Sequence, residues 1–188
     1  MVVLAVAAVI LSLGVPSFND FRRNSRITGI ANDFLGGVQS ARSEAIKRQL
    51  PVAVCPSDNP GSPGAECSDG PFRGWITFVD EDNDCLRDTA DPDEIVLRTG
   101  ERIDTGPASK QVTPVSNGVC ASFAANGFVQ TIADRETASR TLFCDSRGNT
   151  AQGGTTLSAA RGLEISRTGR ARVNRDIDEL DGWPVDCP

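Results

Sequence analysis

Residues 1–16, running from Met1 to Pro16, carry no charge and are almost wholly apolar, whereas the chain behind them is polar, acidic and cysteine-bearing. Such a run is a poor water-facing element, because each buried methylene gains about 0.8 kcal/mol on leaving water. It calls for lipid or the packed core of a fibre. Fifteen helical residues reach only about 22 Å, short of a hydrocarbon core about 30 Å thick. A secretory signal peptide would show basic residues before the apolar core and an Ala-x-Ala-like site after it, and neither is present in this sequence. The apolar spacing instead continues through Phe18, Phe21, Ile27, Ile30, Phe34, Val38, Ala41 and Ala45, along one helical face.

This spacing predicts one helix from near Met1 to Gln49, stopped by Pro51, bent at Pro16 and weakened at Gly36-Gly37 by about 1 kcal/mol per glycine. Arg22, Arg23, Arg26, Arg42, Glu44, Lys47 and Arg48 fall on the other, solvated face. Three stretches result: a transmembrane helix segment over 1–24, the amphipathic half of the helix over 25–50, and a β-rich globular domain over 51–188. The arginines just past the apolar run would point inward under the positive-inside rule, but the cysteines place everything after the run outside the cytoplasm. About 140 residues remain after the helix, near the usual size of one domain.

The 6 cysteines include no Cys-x-x-Cys pair, which removes zinc-ribbon spacing and favours disulfides in an oxidising compartment. Six cysteines allow fifteen connectivities. Cys55 and Cys67 flank a Pro/Gly/Ser loop and form the natural local pair. For the others the expectation is Cys85 with Cys120 and Cys144 with Cys187, the last clamping the tail onto the sheet; peptide mapping decides among the alternatives.

Strands are expected at Val52 to Cys55, Trp75 to Asp80, Glu94 to Arg98, Cys120 to Phe123, Phe128 to Thr131, Arg140 to Cys144, Gly162 to Ser166 and Ala171 to Val173. Asn117-Gly118, Asn126-Gly127, Arg147-Gly148-Asn149 and Thr168-Gly169 punctuate them, with Asn126-Gly127 the strong hairpin signal. Gln152 to Thr156 reads as a loop. Strands after one long helix make an α+β fold, the second half of the helix covering a sheet face.

Catalysis finds little support. His 0 and Tyr 0 remove the commonest general base and metal-ligand nitrogen, and no nucleophile elbow, phosphate loop or dinucleotide fingerprint is present. The chain is expected to be no enzyme and to need no cofactor. Asp80, Asp82 and Asp84 have the alternation of a calcium loop, but Cys85 stands where such a loop wants glycine and Asp91 where it wants glutamate. A solvated acidic loop between two strands is the favoured reading.

Net charge is -6, so bulk electrostatics repel nucleic acid and anionic lipid. Yet residues 161–175 hold Arg161, Arg167, Arg170, Arg172 and Arg175 against Glu164. Period-two spacing puts Arg170 and Arg172 on one strand face, with Gly169 allowing a tight turn before them. Guanidinium forks match phosphate oxygens. The segment lacks Phe and Trp for base stacking, so duplex DNA held by its phosphates is the form that contact would take. The competing reading pairs these arginines with the acidic tail Asp176 to Asp186 or with a neighbouring subunit.

The opening Met-Val-Val-Leu-Ala-Val-Ala-Ala-Val-Ile, Val15-Pro16-Ser17-Phe18, the helix end Ala41 to Arg48, Val52 to Cys55, Gly74-Trp75 through Asp80, and Gly169-Arg170-Ala171-Arg172 together resemble the GspH/FimT group of minor pilins and pseudopilins. The resemblance implies a pilin-like fold, with a long helix whose first half is transmembrane packed on a carboxyl-terminal antiparallel sheet domain. It also implies single-pass residence in a bacterial inner membrane with a periplasmic domain, then entry into a pilus or pseudopilus. Its partners would be other pilins or pseudopilins, met through the helix. Gly169 to Arg172 resembles the Gly-Arg-x-Arg signature of FimT-type pilins, implicated in binding DNA for natural transformation; Arg167, Gly169, Arg170, Arg172 and Arg175 are the corresponding candidates. The alternative is a minor pseudopilin of a type II secretion system without DNA binding. Family members begin with a basic leader, a glycine and Phe-Thr-Leu-Ile-Glu-Leu. About seven such residues ahead of Met1 would bring the apolar helix to about 22, the usual spanning length.

Overall fold

The computed structural model describes residues 18–104 and 111–188 in full and, over 2–17, the helical course of the backbone. The first helix, α1, runs Val2–Arg48 without interruption at Pro16 or at Gly36-Gly37. Its buried face is Ile27, Ala31, Phe34, Val38, Ala41 and Ala45, a three-four spacing that draws one stripe down a helix. Phe18 and Phe21, expected on that same face, are instead 60% and 67% exposed, because they precede the edge of the domain. The expected membrane segment lies largely in residues whose side chains are outside the described ones. Among the described residues no helix is long and apolar enough to cross a membrane.

The strands are β1 Val52–Pro56, β2 Trp75–Val79, β3 Val96–Gly100, β4 Thr113–Ser116, β5 Ala121–Phe123, β6 Val129–Gln130, β7 Arg140–Cys144, β8 Leu157–Ile165 and β9 Ala171–Asp176, followed by a short helix α2 at Ile177–Asp181. Among the described residues they form two sheets, in the orders β3-β2-β1-β5-β6 and β4-β7-β8-β9, with antiparallel neighbours throughout. The expected α+β fold is thus present, but α1 covers two sheets rather than one. Phe34 stands at the join, its ring 4.9 Å from Phe72, 5.9 Å from Trp75 and 5.6 Å from Phe143. The first two belong to the β1–β3 side and the third to β7. Gly37 faces the Trp75 ring so closely that a Cβ would collide with it; the glycine that weakens the helix is what lets the indole sit against it.

Three features escaped the sequence. β4 contains Pro114 and lies at a sheet edge, where a missing N–H costs no ladder bond. β8 begins five residues before the expected Gly162, over Leu157 to Arg161, where Ser and Ala carry little strand propensity and burial decides. The acidic tail folds in part into α2, capped by Asp176, whose side chain accepts the Asp178 N–H.

Away from α1 each sheet has a second, smaller core. Behind the first sheet Ala53, Ile76 and Phe78 pack with Cys55, Cys85 and Cys120; behind the second, Leu142 and Ala160 pack with Leu180, Trp183, Val185 and Cys144. Disulfides join Cys55 to Cys67, Cys85 to Cys120 and Cys144 to Cys187, each fastening a loop or tail over one of these thin cores. Opening Cys144–Cys187 with paired serines is expected to cost about 2–5 kcal/mol, read as a lowered denaturant midpoint; equal midpoints would show that Trp183 and Leu180 hold the tail unaided.

Candidate functional site

The turn between β8 and β9 carries the arginine motif. The Gly169 N–H donates to the Ser166 carbonyl at 2.8 Å and the Ser166 N–H to the Arg170 carbonyl at 2.9 Å. Gly169 has φ +76°, a region that glycine enters at no steric cost. A Cβ there would also strike the Gly127 carbonyl oxygen and lie 3.0 Å from Arg42 Nε. That carbonyl already accepts a hydrogen bond from Arg42 Nε at 3.1 Å, and the Val129 N–H donates to the Arg167 carbonyl at 3.1 Å. The turn is therefore a three-way joint between the end of α1, the β5–β6 hairpin and the second sheet. Arg42, assigned by its spacing to the solvated face, is half-buried in it.

The five arginines separate by environment. Arg167 and Arg170 are exposed at the turn, and neither side chain has a hydrogen bond or ion pair among the described residues. Arg172 donates through Nε and Nη2 to Glu164 at 3.0 and 2.8 Å and also meets Glu179 of α2. Arg140 donates to the other Glu164 oxygen at 3.2 and 3.0 Å, and its guanidinium lies 5.5 Å from the Trp183 ring centroid. Hydrogen bonds from Arg172 first, and then from Arg140, hold the Glu164 carboxyl below its usual range against the opposing effect of burial. Arg175 is half-buried, with its Nε buried and without a hydrogen-bond partner.

Arg161, read as part of the surface cluster, is 3% exposed and structural. Its Nη1 donates to the carbonyls of Ser158, Ala159 and Ala160 at 2.9–3.0 Å, and its Nε to Thr28 Oγ1 on α1 at 3.2 Å. These carbonyls lie in the irregular part of β8, where its register with β9 shifts between Leu157 and Gly162. The buried guanidinium thus finds its hydrogen-bond partners in backbone oxygens, as a buried polar group requires.

The acidic loop is not simply solvated. Asp80 and Glu94 are buried, and their carboxylates gather with that of Asp82, oxygens within 4.8 Å of one another. Asp84, the third residue of the expected alternation, turns instead to the Leu86 N–H at 2.6 Å. No sequence spacing flags Glu94, because the pairing of β2 with β3 delivers it across the loop. Asp80 Oδ1 accepts the N–H groups of Asp84 and Cys85 at 3.1 and 3.2 Å, which closes the loop over the Cys85–Cys120 disulfide. Burial pushes the Asp80 carboxyl up to about 7, against those two N–H donors. Burial likewise raises Glu94, with Asp82, Asp84 and Asp91 adding and the Asp88 N–H opposing.

Because the folded Asp80 holds its proton more tightly than the unfolded one, its stabilising contribution is complete below about pH 4 and is lost as pH rises through about 7. Asp80→Asn keeps an acceptor for both N–H groups and removes the titration. The variant is expected to lose up to about 4 kcal/mol of the wild-type pH dependence between pH 4 and 8, measured by urea denaturation across that range. Parallel curves for wild type and variant would show Asp80 to be ionised in the fold throughout.

A family model described as "Type II transport protein GspH" matches residues 31–169. Two solved structures are similar, both crystal structures of the type IV minor pilin FimU of Pseudomonas aeruginosa (strain PAO1). The crystal in space group P65 shares 16% identity at TM-score 0.50, covering 79% of this chain and 93% of that one. The crystal in space group P21 shares 19% identity at TM-score 0.50, covering 83% and 93%. No curated protein matches. The helix packed over antiparallel sheets is therefore a pilin-like fold, and the chain belongs to the GspH family of minor pilins and pseudopilins.

Proposed function

We propose that this chain is a non-catalytic minor subunit of a type IV pilus, anchored in the inner membrane and then built into the fibre through the amino-terminal half of α1. The carrying observation is the split of that helix. From Ile27 onward its apolar stripe is spent on the domain, whereas Phe18 and Phe21 stand exposed, directly after an uncharged apolar run that the helix continues. Such a surface is matched by lipid tails first and by the apolar helices of other pilins afterwards. The FimU likeness supports the pilus. The alternative, a minor pseudopilin serving secretion, uses the same helix and differs in partners.

Phe18→Asp combined with Phe21→Asp tests the packing role directly. Both side chains are exposed, so the domain should keep its unfolding free energy within about 0.5 kcal/mol of wild type, while the charged helix is excluded from sheared fibres. Normal incorporation of the double variant would overturn the proposal. Gene disruption distinguishes the two assemblies, through loss of piliation in one case and of exoprotein release in the other.

DNA contact is a second reading, favoured by the two exposed arginines without acidic partners. It runs through Arg167 and Arg170 rather than the full motif, since Glu164 and Glu179 already engage Arg172. Weak duplex binding, in the nonspecific range of about 10⁻⁴ to 10⁻⁶ M, should have a log K against log salt slope reduced by about two in Arg167→Gln/Arg170→Gln. Arg172→Gln should leave it nearly unchanged. Absence of binding at low salt would leave the pilin role alone.

A further inference from the structure

A second basic cluster, at the end of the domain nearest the apolar run, takes no part in the β8–β9 turn. Arg22, Arg23 and Arg26 line a cleft of about 340 Å³ together with Asn19, Val112 and Asp145. Asp145 is already engaged, because Arg147 Nε donates to it at 3.0 Å and Arg147 Nη2 at 2.6 Å. Burial opposes the Asp145 charge, yet Arg147 and then Arg23 keep its carboxyl below the usual range. Arg22 lies 6.0 Å over the Phe18 ring. None of the three helix arginines has an ion pair among the described residues. A chain of net charge -6 thus gathers three arginines without close ion-pair partners at one place.

That place has a defined depth. Arg22 to Arg26 follow Pro16 by six to ten helical residues, or about 9–15 Å along the axis. A headgroup layer is about 5–8 Å thick on each side of the hydrocarbon, and arginine stems reach back several ångströms toward it. We propose that this cleft seats the phosphate of an anionic phospholipid headgroup while α1 stands in the bilayer; the inference rests on the membrane insertion proposed above. Guanidinium forks bind phosphate oxygens in pairs. The acidic remainder of the domain is repelled by the same membrane surface, so the cluster also sets which end of the domain faces the lipid. An acidic segment of a neighbouring subunit is the competing occupant. The position beside the apolar run favours lipid, since the cleft meets headgroups before any fibre forms.

The test uses the full chain reconstituted in phosphatidylcholine bilayers with a trace of spin-labelled phosphatidylglycerol or spin-labelled phosphatidylcholine. The motionally restricted fraction of each label reads lipid at the protein surface. Phosphatidylglycerol should be preferred about five-fold, as expected for one arginine's worth of surface attraction, and the preference should vanish at 1 M salt. Arg22→Gln/Arg23→Gln, both at exposed positions, should lower the ratio toward one without erasing what Arg26 retains, whereas Arg167→Gln/Arg170→Gln should leave it intact. A wild-type ratio of one, an unchanged ratio in the helix variant, or an equal fall in both variants would each overturn the headgroup seat. Failure of insertion is separately visible, because neither label would then show a restricted fraction.

Discussion

Everything in this domain is arranged around the seating of one aromatic ring. Phe34 projects from α1 into the seam between two sheets that share only a few backbone contacts, and it touches Phe72 and Trp75 on one side and Phe143 on the other. Each aromatic pair adds about 0.5–1.5 kcal/mol beyond the area it buries. The sheets are otherwise tied by local bonds such as Ala138 N–H to the Cys120 carbonyl at 2.6 Å. Without the helix the inner faces of both sheets would meet water, so α1 is at once the core of the domain and the element that leaves it.

That double use explains the distribution of the other stabilising groups. A helix can cover one side of two sheets, not both, and the outer faces therefore rely on thin covers of loop and tail. All three disulfides join elements of those outer cores, which lack the buried apolar area to hold long loops alone. Arg161 does the corresponding work inside, exchanging hydration for three carbonyls and Thr28. Burial, with Arg175 and Arg147 adding, lowers its pKa to about 10, far enough above neutrality that it stays charged.

What the sequence made legible follows from periodicity. The stripe from Ile27 to Ala45 is apolar at a helical spacing, the runs of β1, β2 and β7 are short stretches rich in β-branched, aliphatic and aromatic residues, and both land where those local patterns put them. The stripe did not reveal its own limit, because Phe18 and Phe21 obey the same period and are exposed only by the position of the domain edge. Two-sheet architecture, the early start of β8 and the folding of α2 depend on which distant strand supplies a neighbour. The same holds for the acidic cluster: spacing groups Asp84 with Asp80 and Asp82, whereas strand pairing substitutes Glu94.

The residues of the arginine motif serve different physical ends. Gly169 is required by a positive φ and by the approach of the Gly127 carbonyl and Arg42, a joint that any protein with this helix and this hairpin must make. Arg172 is held by two carboxylates, one of them on the tail helix that follows it. Arg167 and Arg170 alone combine exposure with the absence of an acidic partner among the described residues. A phosphate arriving at the turn would meet those two forks at no cost in internal ion pairs, whereas drawing Arg172 away would leave Glu164 with Arg140 alone and Glu179 without its guanidinium partner. The chemistry available for an external anion is therefore narrower than the motif, and it lies at the turn rather than along the strand.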